Sequence, residues 1–288
     1  MTAQQSSRPS VLCGLIGAGL QQSRTPRMHE QEGQEQGLRY IYKTIDLELL
    51  NLGSEALPDL LTAAERMGFC GLNITHPCKQ LVIPLLHELS EDAKALNAVN
   101  TVVLKNGRRI GHNTDCLGFA EGFRRGLPDV ERRYVVQLGA GGAGAAVAHA
   151  ALLLKVEKLV VHDIDPLKAQ EVVDGLNAHF GARRAEVCTD LQAAMAQADG
   201  LIHATPVGMA SHPGLPLPAE YLHPQKWVAE VVYFPLETEL LKVAKAKGCR
   251  TVNGGGMAVY QAVGAFQLFT GVEPDAARMT RHFASMGA

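Results

Sequence analysis

A glycine-rich turn between a buried strand and a helix constrains the fold of this chain more than any other feature of its sequence. The apolar run Val135–Leu138 leads directly into the turn Gly139-Ala140-Gly141-Gly142-Ala143-Gly144, and small helix-forming residues follow it. Glycine in such a turn permits unusual backbone angles and lets the main chain approach a pyrophosphate closely. The helix N-terminus then offers free N–H groups and the positive end of its dipole to that anion. The pattern therefore predicts a dinucleotide-binding turn, and the alternative is a tight strand–helix turn without a ligand.

An acidic residue at the end of the next predicted strand indicates which dinucleotide the turn would bind. The strand Lys158–His162 lies at the expected distance after the turn and is followed by Asp163. A carboxylate at this position can accept hydrogen bonds from the adenosine ribose hydroxyls, and it repels a 2′-phosphate. No arginine follows immediately, and Lys168 is the nearest cation, so the sequence predicts NAD rather than NADP. The alternative is that Asp163 serves only the N-terminus of the next helix, a position for which Asp165 competes.

The length of the chain and the alternation of its strands and helices predict two α/β domains. At about 150 residues per domain, the 288 residues of the chain suggest two domains. Short apolar runs alternate with helix-like stretches before and after the Pro-containing stretch 126–128, and this rhythm predicts mostly parallel sheets covered by helices. We predict a substrate-binding domain of residues 1–120, completed by helices within 257–288, and a Rossmann-like, doubly wound NAD-binding domain of residues 121–256. Residues 1–10 are predicted to be a disordered lead-in.

Charge, cysteine usage and hydropathy restrict the partners and the compartment of the protein. The net charge of −2 and the absence of a basic tract argue against nucleic acid as a partner. The six cysteines form no CxxC pair and the histidines follow no metal-binding spacing, so we expect no metal and a reducing compartment. The N-terminus lacks the apolar core of a signal peptide, and no apolar stretch is long enough to span a bilayer. We therefore expect a cytoplasmic protein that binds no membrane and is a monomer or a homodimer.

Polar residues in the first predicted domain lie where strands end and helices begin. The first segment is Ser23-Arg24-Thr25-Pro26, in which Pro26 can begin a helix and Thr25 can cap it. Ser23 lies one residue outside that capping role. Two hydroxyls beside a helix N-terminus can together hold a carboxylate, and this interpretation stands beside simple capping.

Two further segments add a cation and a carboxylate to these hydroxyls. Asn73–Lys79 follows a predicted strand, Asn113-Thr114-Asp115 begins a predicted helix, and Ala98–Thr101 lies between them. Taken singly, Lys79 would be a solvated helix residue, Asp115 would be a helix N-cap, and His76 would have a structural role. Taken together, one cation, one carboxylate and several neutral hydrogen-bonding groups at strand ends indicate a site for a sugar-like substrate.

In combination, these motifs resemble those of the shikimate dehydrogenase family, and most closely those of its NAD-dependent quinate/shikimate dehydrogenase branch. The resemblance extends from about Val11 to Phe283. The motifs that carry it are Ser-x-Thr-Pro at 23–26, Asn-Ile-Thr-x-Pro-x-Lys at 73–79, Ala-Val-Asn-Thr at 98–101, Asn-Thr-Asp at 113–115, the glycine turn, Ala-Thr-Pro-Val-Gly-Met at 204–209 and Gly-Gly-Gly-Met-x-x-x-Gln at 254–261.

The resemblance implies a role for each of the candidate residues. Ser23 and Thr25 would hold the carboxylate of a cyclic polyhydroxy acid, and Tyr233 would lie close to this substrate. The ring hydroxyls would be bound by Thr75, Lys79, Asn100, Asp115 and Gln261. Lys79 and Asp115 would be the catalytic pair. The cofactor would be bound by Gly139, Ala140, Gly141, Gly142, Ala143, Gly144 and Asp163, and its nicotinamide would be bordered by Thr205, Pro206, Val207, Met209 and Gly256.

Two departures from the commoner family pattern favour the quinate-using branch. Plain shikimate dehydrogenases usually carry Ser-x-Ser where this chain has Ser-x-Thr, and NADP-using members carry Asn-Arg-Thr where it has Asp163-Ile164-Asp165. The expected reaction moves a hydride between a ring carbinol carbon and NAD. It would interconvert shikimate and 3-dehydroshikimate, with quinate and 3-dehydroquinate as a second pair. These motifs do not decide which of the two rings is preferred. A single methyl group, by which threonine differs from serine, changes the discrimination between two substrates by only about 1–3 kcal/mol.

The proton of the reacting hydroxyl can leave by either of two routes. A neutral Lys79 could accept it, which requires desolvation of the amine, whereas a nearby Asp115 favours the charged form. Alternatively, a charged Lys79 polarises the oxygen while Asp115 or water takes the proton. The competing functions are a dehydrogenase of a related ring such as aminoshikimate or of a folate, and a catalytically silent nucleotide-binding regulator. The presence of both Lys79 and Asp115 argues against the regulator.

Overall fold

The computed structural model describes residues 10–286, and these divide into two compact units. Unit 1 consists of residues 10–114 and 262–286, and unit 2 consists of residues 115–261. The sequence predicts domain bounds after residues 120 and 256, whereas the units change over inside two helices, after Thr114 and after Gln261. The predicted lead-in, residues 1–10, lies outside the described residues except for Ser10.

Residues 10–114 of unit 1 form one sheet with helices beside it. The strands are β1 (Ser10–Gly17), β2 (Arg39–Asp46), β3 (Gly71–Ile74), β4 (Glu88–Leu89), β5 (Thr101–Lys105) and β6 (Arg108–His112). The helices are α1 (Thr25–Glu35), α2 (Leu57–Arg66), α3 (Cys78–Leu81) and α4 (Glu91–Leu96). The strands form a six-stranded sheet in the order β2-β1-β3-β5-β6-β4.

The sheet of unit 1 is mixed rather than mostly parallel. β1 pairs in parallel with β2 and β3, whereas β5 pairs antiparallel with both β3 and β6. The Asn106-Gly107 turn causes the reversal between β5 and β6, because its residues have positive φ angles of 53° and 71°, as a two-residue hairpin turn requires. The Asn-Gly pair is visible in the sequence, and the expectation of a mostly parallel sheet overlooks it.

Apolar side chains cover both faces of this sheet. α2 buries Leu57, Leu61 and Ala64 along one face, in the spacing of an amphipathic helix. They belong to the same apolar core as Ile16 of β1. The neighbouring Leu15 belongs to a second core, as expected because successive side chains of a strand point to opposite faces.

Unit 2 contains a second six-stranded sheet, in which all the strand pairs are parallel. Its strands are β7 (Tyr134–Leu138), β8 (Lys158–His162), β9 (Ala185–Val187), β10 (Gly200–His203), β11 (Trp227–Glu230) and β12 (Arg250–Val252). The helices that lie wholly or partly in unit 2 are α5 (Thr114–Gly126), α6 (Gly142–Leu153), α7 (Pro166–Phe180), α8 (Leu191–Gln197), α9 (Glu239–Ala246) and α10 (Gly255–Thr270). The strand order is β12-β11-β10-β7-β8-β9, which confirms the predicted doubly wound arrangement. It reverses between β7 and β10, where open parallel sheets bind their ligands.

The last helices of the chain return to unit 1, as the sequence predicts. The second half of α10 and the helix α11 (Ala276–Ser285) belong to it. The ring of Phe266 in α10 stacks on Tyr40 of β2 at a centroid distance of 5.2 Å. The guanidinium of Arg278 in α11 donates two hydrogen bonds, of 2.9 and 2.6 Å, to the buried carboxylate of Glu32 in α1. Among residues 10–286, no helix is long and apolar enough to cross a membrane.

Candidate active site

Two glycines of the turn are required by its backbone conformation and packing. Gly139 has a φ of 100°, a conformation that residues with a side chain rarely adopt. A Cβ added at Gly139 would lie 2.5 Å from the carbonyl oxygen of Ala204, and one added at Gly144 would overlap the carbonyl oxygen of Gly139. Helix α6 therefore approaches the end of β7 more closely than a residue with a side chain would permit.

The middle of the turn faces open space. A Cβ added at Gly141 or Gly142 would meet no atom within 4 Å. α6 begins at Gly142, and its N-cap residue Gly141 offers no side-chain acceptor to the first N–H groups of the helix. These N–H groups and the positive end of the helix dipole can therefore bind an anionic ligand, and the turn fits the pyrophosphate of a dinucleotide.

A buried glutamine fixes the shape of the turn. Gln137 of β7 is fully buried, and its Nε2 donates hydrogen bonds of 2.8 Å to the carbonyl oxygens of Gly139 and Gly144. One side chain thereby holds the first and the last glycine of the turn. In the sequence Gln137 is only part of a buried-strand pattern, and its polar amide within that apolar run is the signal that could have identified it.

The carboxylate of Asp163 lies against the glycine turn. Its Oδ2 accepts a hydrogen bond from the N–H of Ala140 at 2.7 Å, and its Oδ1 accepts one from the N–H of Asp165 at 2.9 Å. The N-cap of α7 is Asp165, whose side chain accepts a hydrogen bond from the N–H of Leu167. The two acidic residues therefore have separate partners, and Asp163 does more than serve the terminus of the next helix.

The loop after β10 lies beside the glycine turn. The N–H of Ala204 donates a hydrogen bond of 2.7 Å to the carbonyl oxygen of Leu138, the last residue of β7. The predicted residues of this loop are Thr205, Pro206, Val207 and Met209. Tyr233 follows the next strand, β11, and is 37% exposed. The loop and the turn thus follow adjacent parallel strands at the position where the strand order reverses, which is where a dinucleotide would bind.

Helices α5 and α10 contact each other through glycines, and they carry three more of the predicted residues. A Cβ added at Gly118 would lie 2.7 Å from the backbone nitrogen of Gln261, and one added at Gly122 would lie 3.1 Å from the carbonyl carbon of Gly256. Asp115 lies just under one turn before Gly118 and is buried. Unit 2 therefore places Asp115, Gly256 and Gln261 on adjoining helices.

Three predicted substrate-binding residues lie at one end of the sheet of unit 1. β3 and β5 are antiparallel, so Thr75, just after β3, lies near Asn100, just before β5. The N–H of Thr75 donates a hydrogen bond of 2.9 Å to Ile16 of β1, and the carbonyl oxygen of Lys79 accepts one of 2.9 Å from the N–H of Val99. Lys79 itself is half-buried in α3. The structure thus brings together Thr75, Lys79 and Asn100.

The side chain of Asn100 fixes the residue before Asp115. Its Oδ1 accepts a hydrogen bond from the N–H of Thr114 at 2.7 Å, and its Nδ2 donates one of 2.9 Å to the Oγ1 of the same residue. α5 begins at Thr114, so Asp115 lies inside its first turn and not at its N-cap. Because Lys79 belongs to unit 1 and Asp115 to unit 2, their catalytic pairing stays a prediction.

Thr25 does not cap α1 with its side chain. The helix begins at Thr25 itself, and the Oγ of Ser23 accepts a hydrogen bond from the N–H of Thr25 at 3.4 Å. Since Pro26 occupies the second helical position and needs no acceptor, the hydroxyl of Ser23 is the one that serves the helix N-terminus. Both hydroxyls remain at that terminus, where the dipole favours an anion.

Asp46 holds the chain between β1 and α1, although its sequence context did not single it out. Its carboxylate accepts hydrogen bonds from the N–H groups of Gly19 at 3.2 Å and Leu20 at 2.8 Å. A Cβ added at Gly17 would overlap the methyl group of Thr75, so the segment that leads to Ser23 begins beside Thr75. An acidic residue at the end of a predicted strand is the signal that could have identified Asp46.

The two units offer different chemistry to a ligand. Unit 1 presents hydroxyls, an amide and one lysine, which suit a carboxylate-bearing polyol. Unit 2 presents glycine N–H groups with the carboxylate of Asp163 beside them, which suit the pyrophosphate and a ribose of a dinucleotide. No three His, Cys, Asp or Glu side chains form a group suited to a metal ion in the part of the chain that the structure describes.

Comparison with known proteins relates both parts of the chain to the same group. The family model described as Shikimate dehydrogenase substrate binding domain matches residues 15–102, and the one described as Shikimate 5′-dehydrogenase C-terminal domain matches residues 254–282. A shikimate dehydrogenase (NADP(+)) of Streptomyces avermitilis is 57% identical, over 97% of each chain. A quinate/shikimate dehydrogenase (NAD(+)) of Corynebacterium efficiens is 51% identical, over 96% of this chain and 99% of that protein. The quinate dehydrogenase of Corynebacterium glutamicum, solved in complex with NAD, has a TM-score of 0.91 and 49% identity, over 96% of this chain and 100% of that chain.

Proposed function

The chain belongs to the shikimate dehydrogenase family, as its motifs predict, and we propose that it is an NAD-dependent oxidoreductase of ring-shaped hydroxy acids. The reaction interconverts shikimate and 3-dehydroshikimate, with quinate and 3-dehydroquinate as a second pair. The observation that carries the proposal is the carboxylate of Asp163, which lies 2.7 Å from the N–H of Ala140 in the glycine turn.

The cofactor is a nicotinamide dinucleotide, and the residues after β8 support NAD over NADP. A carboxylate beside the turn accepts hydrogen bonds from the ribose hydroxyls and repels a 2′-phosphate. Ile164 is 98% exposed and provides no cation that would offset this repulsion. The first cation that follows in the sequence, Lys168, lies 3.8 Å from the carboxylate of Asp165. The relatives differ in this respect, because the Streptomyces protein is named for NADP(+) and the Corynebacterium efficiens protein for NAD(+).

A carboxylic acid with ring hydroxyls fits the polar groups of unit 1. The hydroxyls of Ser23 and Thr25 lie at the N-terminus of α1, where they can bind the carboxylate together with the helix dipole. Thr75, Lys79 and Asn100 lie together and provide hydrogen bonds for ring hydroxyls. Tyr233 and Gln261 complete the proposed substrate contacts. The relatives support this class of substrate, since they are named for shikimate, quinate or both.

Lys79 and Asp115 are the proposed catalytic pair. Bound NAD would supply the acceptor for the hydride that leaves the ring carbon. The proton of the hydroxyl on that carbon must leave as the hydride departs, and a lysine with a carboxylate can hold it and pass it to solvent. Asp115 is 8% exposed, and the hydrogen bonds between Asn100 and Thr114 hold the residue before it.

A reducing compartment such as the cytoplasm is the proposed location. All six cysteines lie among the described residues and are free thiols. A hydrogen bond from Cys13 lowers the pKa of the Cys70 thiol to about 6, so these two sulfur atoms are neighbours. Free cysteines are typical of proteins in reducing compartments, where disulfides rarely persist.

Steady-state NADH formation tests the proposed function. The purified chain is supplied with NAD and with shikimate, quinate or myo-inositol, a cyclic polyol that lacks the carboxylate. We expect saturable NADH formation with the two acids and none with myo-inositol, because the hydroxyls of Ser23 and Thr25 bind the carboxylate. A Ser23→Ala variant should raise the KM for the acid and leave the KM for NAD unchanged. Absence of NADH formation with either acid would contradict the proposed function.

A further inference from the structure

We propose that His203 and Glu230 form a buried positioning pair, which holds the loop 204–209 against the glycine turn and so fixes the nicotinamide half of the cofactor. The inference rests on the proposed function, because it takes this loop as the border of the nicotinamide. His203 and Glu230 carry no role in the motifs of the sequence.

The pair occupies the ends of two neighbouring strands in unit 2. His203 ends β10, Glu230 ends β11, and the two residues are partners in the parallel register. Both side chains have 0% exposure, and the Nδ1 of His203 lies 2.8 Å from the Oε1 of Glu230. A buried carboxylate is costly unless its hydrogen bonds are satisfied, so the partners of Glu230 determine whether this position is stable.

The carboxylate of Glu230 forms four hydrogen bonds within the protein. Its Oε1 accepts hydrogen bonds of 2.9 Å from the N–H groups of Val231 and Val232, in addition to the one from His203. Its Oε2 accepts a hydrogen bond of 2.9 Å from the hydroxyl of Thr238. With the Oε1 of Glu230 as the acceptor, the N–H of His203 lies on Nδ1.

The other nitrogen of His203 holds the beginning of the loop. Its Nε2 lies 2.6 Å from the Oγ1 of Thr205, which also accepts a hydrogen bond of 3.3 Å from the N–H of Val207. With the proton of the ring on Nδ1, the hydroxyl of Thr205 donates to Nε2. A Cβ added at Gly139 would lie 3.1 Å from the methyl carbon of Thr205, so Thr205 in turn packs on the first glycine of the turn.

Glu230 also contacts the C-terminal part of the loop indirectly, through Thr238. Thr238, which donates to Glu230, lies against Gly208, where an added Cβ would lie 3.2 Å from the Cβ of Thr238. Gly208 has a φ of 98°, a conformation that favours glycine. One buried carboxylate therefore holds the loop at two points, through His203 at Thr205 and through Thr238 at Gly208.

The two halves of the cofactor should respond differently when this pair is broken. The adenosine half and the pyrophosphate depend on Asp163 and on the turn, which Gln137 holds separately. The loop contacts the turn at Gly139, but the nicotinamide half is the part of the cofactor that the loop borders. Loss of the ring nitrogens at His203 should therefore weaken the binding of NADH and leave the binding of ADP-ribose, which lacks the nicotinamide, unchanged.

The test compares the Kd values of NADH and ADP-ribose for wild type and for His203→Phe. We expect the Kd of NADH to rise about tenfold, as the loss of a buried hydrogen bond implies, and the Kd of ADP-ribose to stay within about twofold. The matched control is His29→Phe, which removes another fully buried imidazole in unit 1 and should change neither Kd. Thr205→Val keeps the volume of the side chain and removes its hydroxyl, so it should reproduce the effect of His203→Phe even if that variant folds poorly.

Each outcome of this test has a distinct meaning. If His203 acts through Thr205, the double variant His203→Phe/Thr205→Val should bind NADH no more weakly than either single variant. An unchanged Kd for NADH, or an equal loss of both ligands in His203→Phe and in Thr205→Val, would overturn the inference. A wild-type protein that binds ADP-ribose but not NADH would instead overturn the proposed function, and the inference with it.

Discussion

At the scale of single residues, short acidic and polar side chains with similar sequence contexts have different partners. Asp163 and Asp165 are two positions apart. Asp163 nevertheless accepts a hydrogen bond from the N–H of Ala140 in the glycine turn, whereas Asp165 is the N-cap of α7. The capping role could be predicted, because Pro166 marks the first position of the helix. The contact of Asp163 with Ala140 depends on how β7 and β8 pair, and the residue pattern alone does not determine it.

The residues after β8 can be changed to reverse the cofactor preference. The triple variant Asp163→Asn/Ile164→Arg/Asp165→Thr removes the repulsion of a 2′-phosphate and adds a cation for it. Ile164 is 98% exposed, so the arginine displaces no packed side chain, and threonine can still cap α7. We expect the ratio of kcat/KM for NADP to that for NAD to rise by at least about tenfold. Ile164→Ala is the control, and an unchanged ratio in the triple variant would contradict the role of Asp163.

Lys79 is the residue whose removal should affect the chemical step most. Lys79→Ala should lower kcat by about 100-fold or more, with a modest change in the substrate KM, because it removes a group that acts on the proton of the reacting hydroxyl. Lys105→Ala, at the exposed end of β5, is the control for loss of a lysine from unit 1 and should keep its kcat. A near-normal kcat for Lys79→Ala would remove this residue from the catalytic pair.

At the scale of elements, the strands of the nucleotide-binding unit were the most predictable part of the chain. The sequence predicts strands over Tyr134–Leu138, Lys158–His162 and Gly200–His203, since each is a short apolar run between polar or glycine-rich segments. These are the bounds of β7, β8 and β10. The apolar run 227–232 predicts a strand that ends at Val232, whereas β11 ends at Glu230, because the N–H of Val232 donates to the carboxylate of Glu230. β4 is two residues long and β9 is three residues long. Both strands are too short for an alternation of apolar and polar residues to be recognised in the sequence.

The helix after the glycine turn gives a test of its packing. Gly144→Ala should lower the free energy of unfolding by about 1–3 kcal/mol, because the new methyl group would overlap the carbonyl oxygen of Gly139 and overpack this contact. Gly142→Ala is the matched control in the same helix, where the added carbon meets open space. Alanine favours helix over glycine by about 1 kcal/mol, so Gly142→Ala should be as stable as wild type or more stable. Urea unfolding measures both, and equal stability of the two variants would contradict the packing described for the turn.

At the scale of the whole molecule, the family pattern extends over nearly the full chain, and the sequence predicted both units and the return of the last helices to unit 1. It did not predict the internal hydrogen bonds that shape the candidate site. Asp46, Gln137, His203 and Glu230 are all buried polar residues at the ends or in the middle of strands. Their partners lie from 1 to 27 residues away in the chain, at no regular spacing. Local periodicity therefore carries no information about them.

The core of unit 1 contains a histidine that makes stability depend on pH. Burial lowers the pKa of His29 from 6.5 to about 3, so the folded state keeps it neutral while the unfolded state binds a proton below about pH 6.5. Its contribution is therefore fully present above pH 6.5 and is lost as the pH falls toward 3, at up to about 1.4 kcal/mol per pH unit.

The variant His29→Gln isolates this dependence, because glutamine does not titrate and can still bond to the hydroxyl of Tyr40. Between pH 6 and pH 5, wild type should lose about 1 kcal/mol more of its unfolding free energy than His29→Gln does. Urea unfolding at the two pH values measures the difference. A parallel pH dependence of the two proteins would show that His29 titrates alike in the folded and unfolded states.

The relative kcat/KM of the wild-type protein for NAD and NADP, measured with shikimate and again with quinate, tests the central claim most directly. The carboxylate of Asp163 against the glycine turn predicts that NAD is preferred by more than about tenfold with either acid, since a 2′-phosphate would lie beside the negative charge of this carboxylate. Equal values for the two cofactors, or a preference for NADP, would contradict the assignment of Asp163 and with it the proposed NAD-dependent activity.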